Sequence, residues 1–166
     1  MSIKSKRIDN SQALGFTLVE VLIALLVLAV GLLGLAGLQA TTLRNNQSAY
    51  FRSQAVQLGY DMADRMRSNS ANTSNLAGST YVTIALGSAA EQADCATVST
   101  SCTSTDMAEN DLYLWNLDLT RSLPLGQGSI TVNAGARVFT VTVNWDDNRS
   151  GAIDNSDPNF QTSFQP

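Results

Sequence analysis

The residues whose types and spacing could do chemistry are mostly carboxylates, and the densest group runs from Asp146 to Asp157. Asp146, Asn148 and Ser150 alternate, Gly151 follows, Ile153 is apolar, Asp154 comes next, and Asp157 closes the stretch. This order matches the calcium loop of about twelve residues in which alternate oxygens face one ion, glycine permits a sharp turn and the last carboxylate closes the shell. A calcium ion here would take side-chain oxygens from Asp146, Asn148, Ser150 and Asp157 and the carbonyl of Ala152, with Asp154 binding directly or through water. Two features depart from that pattern. The closing residue is the short Asp rather than Glu, and a strand leads in rather than a helix. Acidic, Asn and Gly residues after a strand are also ordinary turn chemistry, so the segment reads either as a calcium site or as a polar loop.

Other chemistry is restricted by what the 166 residues contain. There is no histidine, which removes Ser-His-Asp and Cys-His arrangements and His-bearing zinc sites. A hydrolase would have to rely on acids such as Asp111 and Asp118, seven apart on one helical side. Paired acids on a helix are usually a solvated face, and no nucleophile motif or ligand cluster accompanies them. The chain therefore does not read as an enzyme. The net charge of -4 argues against nucleic acid, which is bound by a cationic face that releases counterions. Cys95 and Cys102 enclose six residues and predict a structural disulfide outside the cytoplasm, stabilising by about 2 to 3 kcal/mol.

The elements that must carry these residues begin with a membrane segment. Lys4, Lys6 and Arg7 precede an apolar run from Phe16 to Leu38 whose only polar side chains are Thr17 and Glu20. At about 1.5 Å per residue the run reaches about 34 Å, enough to cross a hydrocarbon core. A removable secretory signal is the competing reading. Its apolar core would be shorter, and Leu38-Gln39-Ala40 is a poor cleavage site. Basic residues before the span place the N-terminus in the cytoplasm and the remainder outside. Beyond it Leu43, Tyr50, Phe51, Ala55, Leu58, Met62 and Met66 form a helical stripe, so one helix is expected from about Phe16 to about Arg67.

Ser68 to Thr105 reads as loop-rich, with Val82, Ile84 and Leu86 alternating like a short strand. Asp106 with Glu109 resembles a capping box, and Ala108, Leu112, Trp115 and Leu119 predict a second helix ending near Leu123-Pro124. Ser129 to Asn133 and Arg137 to Trp145 read as antiparallel strands, with Phe139, Val141, Val143 and Trp145 on one face. That face needs a cover, which the outer half of the long helix supplies. The tail after Ser156 is expected to fray. The fold class is therefore α+β: a long N-terminal helix on a small antiparallel sheet, with a second short helix.

Gly15-Phe16-Thr17-Leu18-Val19-Glu20, behind a short basic leader, resembles the prepilin leader of type IV pilins and type II secretion pseudopilins. The resemblance implies that prepilin peptidase cuts between Gly15 and Phe16 and methylates the new amine. It also implies a division into leader (1–15), membrane half of the helix (16–38), amphipathic half (39–67) and periplasmic domain (68–166). A carboxylate among lipid tails is costly. Glu20 is thus expected to pair with the Phe16 amine of a neighbouring subunit, against the simpler reading that it snorkels to the headgroups.

Val21-Leu22-Ile23-Ala24-Leu25, the glycines Gly31 to Gly37, Arg65-Met66-Arg67, and Cys102 followed by Asp111-Leu112-Tyr113-Leu114-Trp115 look like the PilV-type minor pilin, the type IV pilus modification protein. Gly37 stands where many major pilins carry a bending proline, and no cysteine follows Cys102 to close a C-terminal loop. The implied partners are prepilin peptidase, other minor and major pilins, the inner-membrane assembly platform and a tip adhesin. The nearest rival is the I-type minor pseudopilin of type II secretion. An adhesin role for the Ser/Thr-rich loops is compatible with the pilin reading.

Overall fold

The computed structural model describes residues 15–95 and 101–166. The leader up to residue 14, with its three basic residues, and residues 96–100 inside the cysteine ring lie outside the described residues. Contacts divide the chain into two units, Met1–Arg44 and Asn45–Pro166. The helix α1, Leu18–Ser68, begins in the first and ends in the second. Its start matches the expected one within two residues.

In the first unit α1 includes a window of mean hydropathy 2.9 with none of it buried. Leu22, Ile23, Leu26, Val27, Val30 and Leu33 are all exposed. Apolar residues on every side of a helix suit lipid rather than a one-sided protein core.

In the second unit the helix becomes one-sided. Ala55, Gly59, Met62, Ala63 and Met66 are buried, whereas Phe51 and Leu58 are half-buried and Tyr50 remains exposed. The buried residues fall at steps of three, four and one, so the face turned inward is narrow and built from small or flexible side chains. The sheet it shares a core with has the order β1-β2-β3, from Gln127–Asn133, Val138–Asn144 and Asn159–Phe164. Both pairings are antiparallel, with Ile130 opposite Val141 and Val143 opposite Phe160. Phe139, Val141, Val143 and Trp145 are fully buried, the face expected from their alternation. At Gly59 α1 passes close against β3: a Cβ there would lie 2.6 Å from the Phe160 ring.

Three local expectations change. The tail is not frayed, because Asn159–Phe164 forms β3 and Phe164 stacks on Phe139 with ring centroids 5.7 Å apart. The stretch around Val82, Ile84 and Leu86 is not a strand. It holds the helical turns α2, Ser70–Thr73, and α3, Thr80–Thr83, with a 3-10 turn at Leu86–Ser88. The buried Asn72 imposes this shape: its Oδ1 accepts from Ser79 Oγ at 2.8 Å and from the Thr80 amide at 2.9 Å, and its Nδ2 donates to Thr80 Oγ1 at 2.8 Å. Backbone bonds close the turn, the Val82 and Thr83 amides donating to the Ser79 carbonyl at 3.0 Å and the Ile84 amide to the Thr80 carbonyl at 3.1 Å. The helix α4, Ser104–Ser122, is capped by Thr103 rather than Asp106. Thr103 Oγ1 accepts the Asp106 amide at 3.2 Å while Asp106 Oδ2 accepts the Thr103 amide at 3.1 Å. The box is therefore shifted by one turn, with Asp106 at its third helical position.

Helix α4 fits between α1 and β1. Trp115 is fully buried and donates its indole N–H to the Leu58 carbonyl at 3.0 Å. Its ring also occupies the space over Gly128 that a Cβ would need. Each fully buried large side chain of this core contributes about 1.5 to 3 kcal/mol.

Candidate processing and assembly site

Gly15, Phe16 and Thr17 precede the first helical turn and are exposed. Thr17 starts the helix, since its Oγ1 accepts the Glu20 amide at 3.3 Å and its carbonyl accepts the Val21 amide at 3.3 Å. The Gly15-Phe16 peptide thus lies ahead of the helix, on exposed residues. A Cβ at Gly15 would meet nothing within 4 Å. Nothing in the described chain demands glycine there, so a requirement for it would come from another molecule.

Glu20 lies in the first turn of α1, where the free amides of a helix N-terminus favour negative charge. Its carboxylate accepts no hydrogen bond and joins no ion pair among the described residues. Phe16, Val21, Ala24, Leu25 and Leu28 line a shallow groove with it. This is a carboxylate on an apolar surface.

The expected disulfide is formed. Cys95 and Cys102 are bonded, with Cα atoms 5.1 Å apart, and the bond ties the turn Ala93–Cys95 to the residue before the Thr103 cap. Gln92 and Ala90 reinforce it from the same side. The Gln92 amide donates to Asn110 Oδ1 at 3.1 Å, its side chain to Glu109 Oε2 at 2.9 Å, and the Ala90 amide to Glu109 Oε1 at 3.2 Å.

Asp111 and Asp118 stand in different surroundings. Asp111 is buried, 6% exposed, and its oxygens accept from Tyr81 Oη at 2.6 Å and, more distantly, from Arg65 Nη1 at 3.5 Å. Arg65 also donates to Asp61 at 2.8 Å, and Asn69 Nδ2 joins Tyr81 Oη to the Ser104 carbonyl. Burial pushes the Asp111 carboxyl up, outweighing the Tyr81 hydrogen bond and the Arg65 charge that pull it down. Burial, the bond to Asp111 and its charge hold the Tyr81 hydroxyl far above the ordinary tyrosine range. Burial draws Arg65 down, but Asp61 and Asp111 together hold it above its usual value. This network joins α1, α3 and α4, and Asp118 takes no part in it. Sequence reasoning missed it because Arg65 and Asp61 lie off the apolar stripe and read as solvated.

The segment from Asp146 to Asp157 is held by its own carboxylates. Asp146 accepts the Ser150 amide at 3.0 Å and the Gly151 amide at 2.8 Å; Asp157 accepts the Asp147 amide at 3.0 Å and the Asp154 amide at 2.9 Å. Ser150 Oγ donates to the Ala152 carbonyl at 2.9 Å. Asp154 accepts from the Ser156 hydroxyl and amide, which lower its pKa. Among the described residues no three acidic or cysteine side chains are placed to hold a metal ion. The bonds are those of a tight polar turn. Asp147 ties the turn to the core, accepting from Trp145 Nε1 at 3.0 Å and from Ser48 Oγ of α1 at 2.8 Å.

Two family models match the chain. The prokaryotic N-terminal methylation motif covers residues 10–36, which include Gly15, Phe16 and Glu20. The model described as Type IV pilin Tt1218 follows directly, over residues 37–113, and takes in the disulfide and Asp111. No curated protein and no solved structure matches the chain.

Proposed function

We propose that the chain, which matches the type IV pilin and N-terminal methylation models, is a pilin precursor that works as a minor pilin, assembled into the type IV pilus or priming its assembly and contributing to its tip. The observation that carries this reading is the exposed Gly15-Phe16 peptide four residues ahead of an unpaired Glu20 on an apolar helix. Prepilin peptidase removes residues 1–15 on the cytoplasmic side and methylates the Phe16 amine. Residues 16–38 remain in the inner membrane, 39–67 carry the helix outward, and 68–166 form the periplasmic domain that ends on the pilus surface.

Assembly follows from the electrostatics of the membrane layer. A charged amine and a charged carboxylate are each costly in lipid, and pairing them relieves both. The Phe16 amine of one subunit meets Glu20 of the next, so staggered subunits neutralise each other while their apolar helices pack. The remaining partners are other minor and major pilins, the inner-membrane assembly platform and an adhesin at the tip. Gly37 in place of a bending proline favours a minor over a major subunit. So does the position of the disulfide, which precedes α4 instead of closing a C-terminal loop.

The second reading, an I-type minor pseudopilin of type II secretion, shares the same leader and helix. Deleting the gene separates the two. Loss of surface pili with secretion intact supports the minor pilin; loss of secreted enzymes with pili intact supports the pseudopilin.

A further inference from the structure

The chain contains three Asn-x-Ser triplets, at Asn46, Asn72 and Asn148, and the structure treats them differently. Asn46 lies inside α1, where helical hydrogen bonds keep the triplet from extending into an enzyme groove. Asn72 is 7% exposed, and both ends of its carboxamide are engaged by Ser79 and Thr80. Asn148 is exposed at the tip of the turn after β2, with Arg149 and Ser150 exposed beside it.

We propose that Asn148 is an N-glycosylation acceptor, modified by a membrane oligosaccharyltransferase that uses a lipid-pyrophosphate-linked sugar as donor. The proposal rests on the reading that residues 68–166 leave the cytoplasm, which brings them to the compartment where such acceptors are used. In the transfer, Nδ2 of Asn148 forms a bond to the anomeric carbon of the sugar and that carbon's bond to the pyrophosphate oxygen breaks. The lipid pyrophosphate leaves with the electron pair, and the displaced amide proton passes to a base of the transferase. The Ser150 hydroxyl is the second recognition element, two residues on.

The folded turn tolerates the product. Nδ2 of Asn148 donates one N–H to Ser156 Oγ at 3.0 Å, and Oδ1 accepts the Ser150 amide at 2.7 Å. An N-linked sugar replaces one of the two amide hydrogens and leaves the other for Ser156. The positive φ of Arg149, 59°, and of Gly151, 90°, keep the turn tight with its tip outward.

The test is mass spectrometry of the full-length protein isolated from the envelope of the cells that produce it, intact and as the chymotryptic peptide beginning at Asp146. The expected result is a mature chain starting at Phe16 whose Asp146 peptide carries a glycan mass increment. That increment is lost completely in Asn148→Gln and Ser150→Ala and kept in Ser150→Thr and Asn46→Gln. A processed chain whose Asn148 peptide has only its unmodified mass overturns the proposal and leaves the pilin reading standing. An increment that survives Asn148→Gln overturns it too. A chain retaining its leader overturns the pilin reading on which the proposal rests.

Discussion

Asp111 reads as part of a solvated helical face in the sequence and is buried in the structure. It is the acceptor for Tyr81 and Arg65 at once, so Asp111→Ala leaves the buried Tyr81 hydroxyl without its acceptor and is expected to lower stability by about 1 to 3 kcal/mol. Its pH behaviour has a definite sign. The folded carboxyl is raised above its ordinary value, so between the two values the folded state holds the extra proton. Its contribution to stability therefore increases as pH falls through the raised pKa toward the ordinary one. Asp106, lowered by its bonds from Thr103, contributes in the opposite sense: its stabilisation is present above the ordinary carboxylate pKa and disappears as pH falls through the lowered one. Denaturant unfolding of the detergent-solubilised protein from pH 7 to about 4 should show wild type gaining on Asp111→Asn; parallel curves would contradict the assignment. Asp146 holds the Ser150 and Gly151 amides, so for a polar turn Asp146→Ala is expected to cost about 1 to 2 kcal/mol equally with and without millimolar calcium. A calcium-dependent rise in melting temperature that the variant loses would support the metal reading.

The elements differ in how clearly the sequence announces them. β2 was legible because Phe139, Val141, Val143 and Trp145 alternate without interruption, and α1 because its apolar run is too long for anything else. β3 was not, because Asn159, Gln161 and Ser163 are polar and Pro158 and Pro166 flank it. Only Phe160 and Phe164 hint at a buried face, and two residues are too few to set a period. α3 was misread because apolar residues at alternate positions fit a strand, while the bonds that turn the chain come from Asn72, a polar residue several positions upstream. The disulfide was legible from spacing and compartment alone. By closing a short ring beside the α4 cap it is expected to stabilise the domain by about 2 to 3 kcal/mol. The double variant Cys95→Ser with Cys102→Ser should unfold at correspondingly lower denaturant, and wild type in reductant should match it. Equal midpoints would show that the Thr103 box and the Glu109 contacts hold this corner unaided.

For the molecule as a whole, the two units divide the work by solvent. The first exposes apolar side chains around its helix and, among the described residues, carries the carboxylate of Glu20 with no hydrogen bond or ion pair. The second encloses a core of two tryptophans, several large side chains and a satisfied polar network; no buried side-chain nitrogen or oxygen among the described residues lacks a hydrogen bond. Glu20→Ala makes the membrane segment more apolar, so insertion and cleavage are expected to stay normal. The amount of protein recovered in sheared pili should fall at least several-fold, because the Phe16 amine of the adjoining subunit loses its counter-charge. Wild-type recovery would remove the ion pair from the account. Every step of the proposed assembly depends on cleavage of the Gly15-Phe16 peptide, and the mature N-terminus reports it directly. Mass spectrometry of the N-terminal peptide of the membrane-extracted protein should find a chain beginning at Phe16 with a methylated amine, and Gly15 replaced by a bulky residue should preserve the leader. A wild-type chain that keeps its leader, or that begins beyond Leu38 as a cleaved secretory signal would leave it, would contradict the account.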